Sequence, residues 1–432
     1  MKSFCLFSIV TVFIVATGQV ALGQTTWIKS SMNPVLTASI YNGVSPYGID
    51  GAFDVGAALS PSVLYESGLY RMWYVGYEGN WTHRYTIGYA ISEDGQTWLT
   101  YTKNPVLVPG TSFDVNNVWL SVVMSGSNLA KFVMYYTGFS SSNQLTLGVA
   151  TSGDGINWDK YSGNPVLTPG SSGSWDGLNV WGVSVIKIET NDYRMWYSGR
   201  GPDGKARIGY ATSVDALHWT KYSNNPVLSP GESGSWESQN VYVPRVVYAN
   251  GLFHMFYLGN TPSNDTQIGY AYSTDGITWT KYGNNPVLRR GSPGQWDSYS
   301  LVDHCVLLVG TTLKMWYGGT DYPIWQIGLA TSTLSTDVPG QKSLPTSIRL
   351  NQNYPNPFNP STTVEYDVPA RAHITLKVYN SIGQDVATLV DEERAPGSYS
   401  AVWDARGVAT GTYWSRLTAD GKSIVQKMIL LK

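Results

Sequence analysis

The sequence predicts an all-β chain, a five-bladed β-propeller followed by a small Ig-like β-sandwich, and three observations carry that expectation. The 432 residues include 17 Trp, 30 Tyr and 45 Gly but only 13% charged residues, a composition of strand and turn formers rather than of surface helices. Asn-Pro-Val-Leu occurs five times, beginning at Asn33, Asn104, Asn164, Asn225 and Asn285, and the last four copies are 60 or 61 residues apart. No stretch carries the 3.6-residue apolar period of an amphipathic helix.

From the N-terminus, Lys2, the apolar run Phe4 to Ala16 and the small residues Ala21 and Gly23 read as a secretion signal over residues 1–23. Its removal leaves Cys305 as the one thiol, so neither an internal disulfide nor a multi-cysteine metal site is available. No later segment approaches 18 consecutive apolar residues, and no membrane span is expected. A net charge of −2 offers no basic field for a phosphate backbone, which argues against a nucleic-acid partner.

Residues 24–333 hold the repeat. Each Asn-Pro-Val-Leu follows a Trp by six residues, at Trp27, Trp98, Trp158, Trp219 and Trp279. Between copies lie an aromatic–acid pair (Phe53-Asp54, Phe113-Asp114, Trp175-Asp176, Trp236-Glu237, Trp296-Asp297), an aromatic strand such as Met195-Trp196-Tyr197, and a Gly-containing strand such as Ile208-Gly209-Tyr210. Four short strands per unit at a fixed period describe a propeller blade. The fifth unit ends at Thr333 without its Trp-containing strand, and the orphan Trp27-Ile28-Lys29 supplies it, closing the ring without an exposed edge. Residues 334–347 read as a linker rich in Ser, Thr, Pro, Gly and Gln. Residues 348–432 alternate in the two-residue period of strands and suit a small sandwich.

The last segment contains Asn353 to Pro360, Val378 to Gln384, Gly397-Ser398-Tyr399, Trp403-Asp404, Gly411-Thr412-Tyr413 and the terminal Lys427 to Lys432. In these it closely resembles the sorting domain of the type IX secretion system, which implies export, the secretion machinery as a partner, and a secreted or cell-surface location. The Met-Trp-Tyr-x-Gly, Ile-Gly-Tyr-Ala-Thr-Ser and Asp-Gly-x-x-Trp strings of the repeat resemble the five-bladed glycoside hydrolase superfamily of arabinanases, xylosidases and invertases. That resemblance implies a carbohydrate ligand and carboxylates drawn from different blades. It requires no cofactor, and it offers calcium in the central channel as a candidate metal with His304 as a ligand; a satisfied core histidine is the other reading. The Asp-Pro string such enzymes carry on the first blade is absent here, so a non-catalytic glycan-binding propeller stands as the alternative to a hydrolase. The chain is expected to be a monomer.

Residues present in every unit are structural, because one funnel cannot use five copies of a catalytic acid. Asp54, Asp114, Asp176, Glu237 and Asp297, and the Asp-Gly turns at Asp94, Asp154 and Asp275, therefore read as scaffold. Chemistry belongs where the symmetry breaks. On the inner strand, Arg245, Asp303 and His304 interrupt an apolar or small run, and Arg245 is placed to meet Asp303. After the shared Tyr-x-Gly, Glu78 and Asp321 occupy equivalent loops on neighbouring blades, about 7–9 Å apart if both rim the axis, the spacing of an inverting acid/base pair. With Asp50 in the long first loop, Glu78, Asp321 and Asp303 form the pool of candidate catalytic residues. The expected substrate contacts are Trp81, Asn117, Trp119, Asn179, Trp181, Arg200, Asn240, Tyr242, Arg245 and Trp325, because sugar C–H faces stack on aromatic rings and sugar hydroxyls need polar partners.

Overall fold

The computed structural model describes residues 27–38, 53–77, 84–110, 112–333, 347–394, 397–419 and 421–431. The proposed signal, Asp50, Glu78 and Trp81 lie outside them. The strands from Ile28–Lys29 to Trp325–Thr333 form one compact unit, and those from Arg349–Leu350 onward belong to a second.

In the first unit the described residues make five antiparallel sheets of four strands. The first is Ala57–Glu66, Leu69–Tyr77, Tyr85–Ser92 and Leu99–Thr100; the second is Asn117–Ser125, Phe132–Phe139, Leu145–Ser152 and Asp159–Lys160. The third is Asn179–Glu189, Asp192–Arg200, Ala206–Ser213 and Thr220–Lys221, and the fourth is Asn240–Ala249, Leu252–Asn260, Thr266–Ser273 and Thr280–Lys281. The fifth takes Ser300–Val309, Thr312–Thr320 and Trp325–Thr333 and completes itself with Ile28–Lys29, which pairs Ile28 with Thr331 and Lys29 with Ala330. The leading strands touch their neighbours in cyclic order, the fifth returning to the first, which is a propeller's arrangement. One parallel pair, Ala57 with Trp325, also bridges that seam.

The repeated residues build this scaffold in the same way each time. The aromatic before the acid lies flat on two glycines: a Cβ on Gly199 or Gly209 would stand 2.6 or 2.8 Å from the Trp175 ring. Only glycine lets the ring approach that closely. The acid beside it is buried and paired with a lysine of its own sheet's outer strand, Asp114 with Lys160 at 2.5 Å, Asp176 with Lys221 and Glu237 with Lys281 at 2.6 Å. Asp297 pairs with Lys29 at 2.6 Å, so the N-terminal strand repeats the bond made by three of its counterparts; the first sheet's outer strand, Leu99–Thr100, has no lysine there. The Asn of Asn-Pro-Val-Leu locks the third strand: Asn225 accepts from Tyr210 N at 2.8 Å and donates to Tyr210 O at 2.8 Å. Neighbouring sheets are tied by buried indoles, with Trp73 donating to Gly155 O, Trp196 to Gly276 O and Trp316 to Gly95 O at 2.7–2.8 Å.

The second unit has a three-stranded sheet of Arg349–Leu350, Ser361–Val368 and Gly397–Asp404. Its other sheet has four strands, Asp385–Arg394, Ala372–Asn380, Gly411–Ala419 and Lys422–Leu430. Val364, Tyr366, Ile374, Leu376, Trp403, Leu417 and Met428 form its core, drawn from alternate positions of strands whose other face is wet. No helix among the described residues is long and apolar enough to cross a membrane.

Candidate functional site

Each leading strand is interrupted at one shared place. Its pairing register slips between Leu59 and Ser62, Leu120 and Val122, Trp181 and Val183, Tyr242 and Arg245, and Val302 and His304. In four sheets the bulge begins six positions after the structural acid, at Ser60, Gly182, Val243 and Asp303, and in the second it falls at Ser121, seven after Asp114; Ser60 at 51°, Gly182 at 51° and Val243 at 50° have positive φ. Such bulges re-aim side chains. Val243 is β-branched, a residue type seldom found at such a φ.

The bulges surround a cavity of about 240 Å³ lined by Trp119, Thr137, Phe139, Leu145, Trp181, Tyr242, Val243, Leu258, Val302 and Asp303. Trp119, Trp181, Tyr242 and Val302 are equivalent residues of four successive sheets, each five positions after its structural acid, so the cavity sits where the leading strands converge. Asp303 is the carboxylate of its lining. It is buried, and its Oδ2 accepts from Trp119 Nε1 at 2.5 Å and from the Ser60 hydroxyl. The Oδ1 atom has no hydrogen-bond partner among the described residues.

The expected Arg245–Asp303 ion pair is not formed. Arg245 is buried and donates from Nη1 to the carbonyls of Val183 and Pro244, each at 2.9 Å. Burial pulls its pKa down and the charge of Asp303 acts against that shift, so the two interact through space without contact. The bulge is the reason: it turns Asp303 into the cavity, while Arg245, two residues past the bulge of the fourth sheet, reaches for backbone oxygens instead.

His304 is fully buried, and neither ring nitrogen has a hydrogen-bond partner. Its pKa falls to about 3, first through burial and then through the charge of Arg245, with the Phe256 backbone offsetting part; the imidazole is neutral. No three His, Cys, Asp or Glu side chains converge on a possible metal among the described residues, and the Arg245 charge beside His304 disfavours a cation. These residues do not fit the calcium site expected in the channel.

Other expected contacts divide. Trp119, Trp181 and Tyr242 line the cavity, and Arg200 lies over the Trp181 ring at 5.6 Å. Asn117, Asn179 and Asn240 are instead committed between sheets, their Oδ1 atoms accepting from Tyr85 N, Leu145 N and Ala206 N at 2.7–2.9 Å. Each satisfies the first amide of the preceding sheet's third strand. Trp325 packs at the seam beside Ala57 and Asp321 is exposed on a turn, and neither lines the cavity. Sequence reasoning missed Phe139, Leu145, Val243, Leu258 and Val302, whose apolar character matched the repeat and gave no break in symmetry to notice.

Comparison with known proteins bears on both units. Residues 61–180 match the glycosyl hydrolases family 32 N-terminal domain, and residues 352–431 match the secretion system C-terminal sorting domain. An uncharacterized protein of Mycobacterium tuberculosis is 29% identical over 289 residues, which are 63% of this chain and 91% of that one. A beta-fructofuranosidase, insoluble isoenzyme, of Arabidopsis thaliana is 26% identical over 208 residues, covering 44% of this chain and 35% of the plant protein. Among solved structures, a glycosyl hydrolase from Bacteroides ovatus superposes with a TM-score of 0.56 at 20% identity, over 72% of this chain and 94% of that one, a likeness of fold. The sorting domain marks the chain for type IX secretion and so for the cell surface or the exterior.

Proposed function

We propose that this chain, a glycoside-hydrolase-like propeller exported through its sorting domain, acts on one end of a glycan held in the axial cavity. The observation that carries the reading is the placement of Asp303 in an aromatic pocket. Trp119, Trp181 and Tyr242 offer faces for sugar C–H groups, and the carboxylate keeps Oδ1 as an acceptor. A cavity of about 240 Å³ is smaller than a typical drug-sized site of roughly 300–1,000 Å³ and suits a chain end rather than several sugar units.

In this reading Asp303, oriented by its two donors, serves as base or as stabiliser of an oxocarbenium-like transition state. The proton donor is drawn from Glu78, Asp50 and Asp321. Arg200 braces Trp181, and Arg245 supplies a fixed positive charge behind Asp303. No cofactor is needed in this reading, and the working unit is proposed as a monomer. The test is a panel of arabinan, xylan, mannan and fructan with product anomers followed by NMR, for the parent and for Asp303→Asn. Turnover unchanged by Asp303→Asn overturns the assignment of that carboxylate.

The second reading is glycan binding without turnover. The cavity favours it in having one carboxylate among its described lining residues, whereas glycoside hydrolysis usually needs two. Saturable binding across the panel with no product would select it.

A further inference from the structure

The chemistry of the cavity wall limits which sugar can enter. Eight of its ten lining residues are aromatic or aliphatic: Trp119, Phe139, Leu145, Trp181, Tyr242, Val243, Leu258 and Val302. The polar groups among them are mostly spoken for. The Thr137 hydroxyl accepts from Gly182 N at 3.4 Å, the Tyr242 phenol has Thr266 as a hydrogen-bonding neighbour, and the Trp119 N–H is given to Asp303. That leaves the Trp181 N–H as a donor and Asp303 Oδ1 as an acceptor, enough for one or two hydroxyls.

A fully hydroxylated pyranose would strip water from several hydroxyls here and find one acceptor and one donor for them, Asp303 Oδ1 and the Trp181 N–H. A buried hydroxyl without a partner is unfavourable, while a methyl group against Val243, Leu258 and the indoles is favourable. A cationic group would also find aromatic faces, yet Arg200 already covers Trp181 and Arg245 stands behind Asp303, so positive charge in the pocket is opposed. Resting on the glycan reading above, we propose that the cavity selects a methyl-bearing sugar terminus, a 6-deoxy or O-methylated pyranose. One of its hydroxyls donates to Asp303 Oδ1 and its methyl group meets the Val243–Leu258 wall.

The test uses the full chain and two matched sets of methyl glycosides. L-fucose is compared with L-galactose, which adds a hydroxyl, and with D-arabinose in its pyranose form, which keeps the ring configuration and lacks the methyl; L-rhamnose, L-mannose and L-lyxose form the second set. Affinity is read by titration calorimetry and contact by saturation-transfer NMR. In at least one set the 6-deoxy sugar is expected to bind roughly 10–100-fold more tightly than its hydroxylated partner, the range over which an apolar pocket rejects an added hydroxyl. The saturation transfer should be strongest at its methyl group. Leu258→Asn should narrow that ratio, with a retained cooperative thermal transition, at a lower midpoint, showing that the variant is folded. Equal or tighter binding of the hydroxylated sugars overturns the selectivity and leaves the glycan reading standing. If neither set binds, a glycan array decides: ligands without deoxy or O-methyl termini overturn the selectivity alone, and no ligand at all overturns both.

Discussion

The Cys305 thiol accepts a hydrogen bond from the Val63 amide at 3.2 Å, across the seam where the last sheet meets the first. Ser62 and Ser184 make the equivalent bond to the next sheet, to Val123 N and Val246 N, each at 2.9 Å. Cys305 is therefore one member of a set of small acceptors tying the leading strands around the ring. Burial raises its pKa, which keeps it a protonated, unreactive thiol. Cys305→Ser should leave the thermal midpoint nearly unchanged. Cys305→Ala strands a buried amide and should cost about 1–3 kcal/mol. In the native protein a thiol reagent should label Cys305 only as fast as the propeller opens; rapid labelling of the folded chain would contradict the buried seam.

Lys29 should matter more than its place near the chain start suggests. Asp297 is 1% exposed and holds Lys29 and the Tyr317 hydroxyl. Lys29→Met leaves that carboxylate facing one phenol, and with Lys29 itself partly exposed the loss should be about 2 kcal/mol. Denaturant melts of Lys29→Met beside Lys221→Met, its counterpart on Asp176, should give similar losses. A silent Lys29→Met would mean that the fifth sheet does not need its outer strand.

Acid should weaken the propeller partly through His304. Its folded pKa is about 3 against an unfolded 6.5, so the unfolded chain takes up a proton that the folded chain refuses as pH falls below about 6.5. The stability this residue contributes is full above that pH and is lost progressively down to about 3. His254, whose pKa burial also lowers, acts in the same direction. Thermal midpoints between pH 4 and 7 should fall less steeply in His304→Leu than in the parent. Equal slopes would place the imidazole in water.

Trp119→Phe keeps a ring in the cavity and removes the N–H that Asp303 accepts at 2.5 Å. With one donor fewer the carboxylate is held less firmly in the cavity. If Asp303 takes part in the chemistry, kcat should fall while KM changes little, and the fall should be smaller than in Asp303→Asn. A change confined to KM would assign Asp303 to binding.

Export and ligand handling should separate. Removing residues 352–431, the span of the sorting-domain match, should retain the protein inside a host that has the secretion system, while the purified remainder binds or turns over glycan as before. Secretion without the segment would contradict its role.

The sequence by itself determined the scaffold because the scaffold is local. Antiparallel strands joined by short turns recur every 60 or 61 residues, and the residues they share, such as Trp175 with Gly199 and Gly209, contact one another within a single unit. Breaks in that repetition also singled out Asp303, Arg245 and His304 as the residues the scaffold does not explain. Tertiary structure decided what those residues do. A bulge adds one residue and reverses the alternation of side chains beyond it, so reading alternate positions along Leu301 to Val306 cannot tell that Asp303 enters the cavity. Nor can it tell that a partner from another sheet, Trp119 rather than Arg245, meets it there. The same holds for Asn117, Asn179 and Asn240, which look like funnel contacts in sequence and prove to be spent on amides of the preceding sheet. Both outcomes depend on distances between sheets, and those are set by packing around the ring rather than by any one repeat.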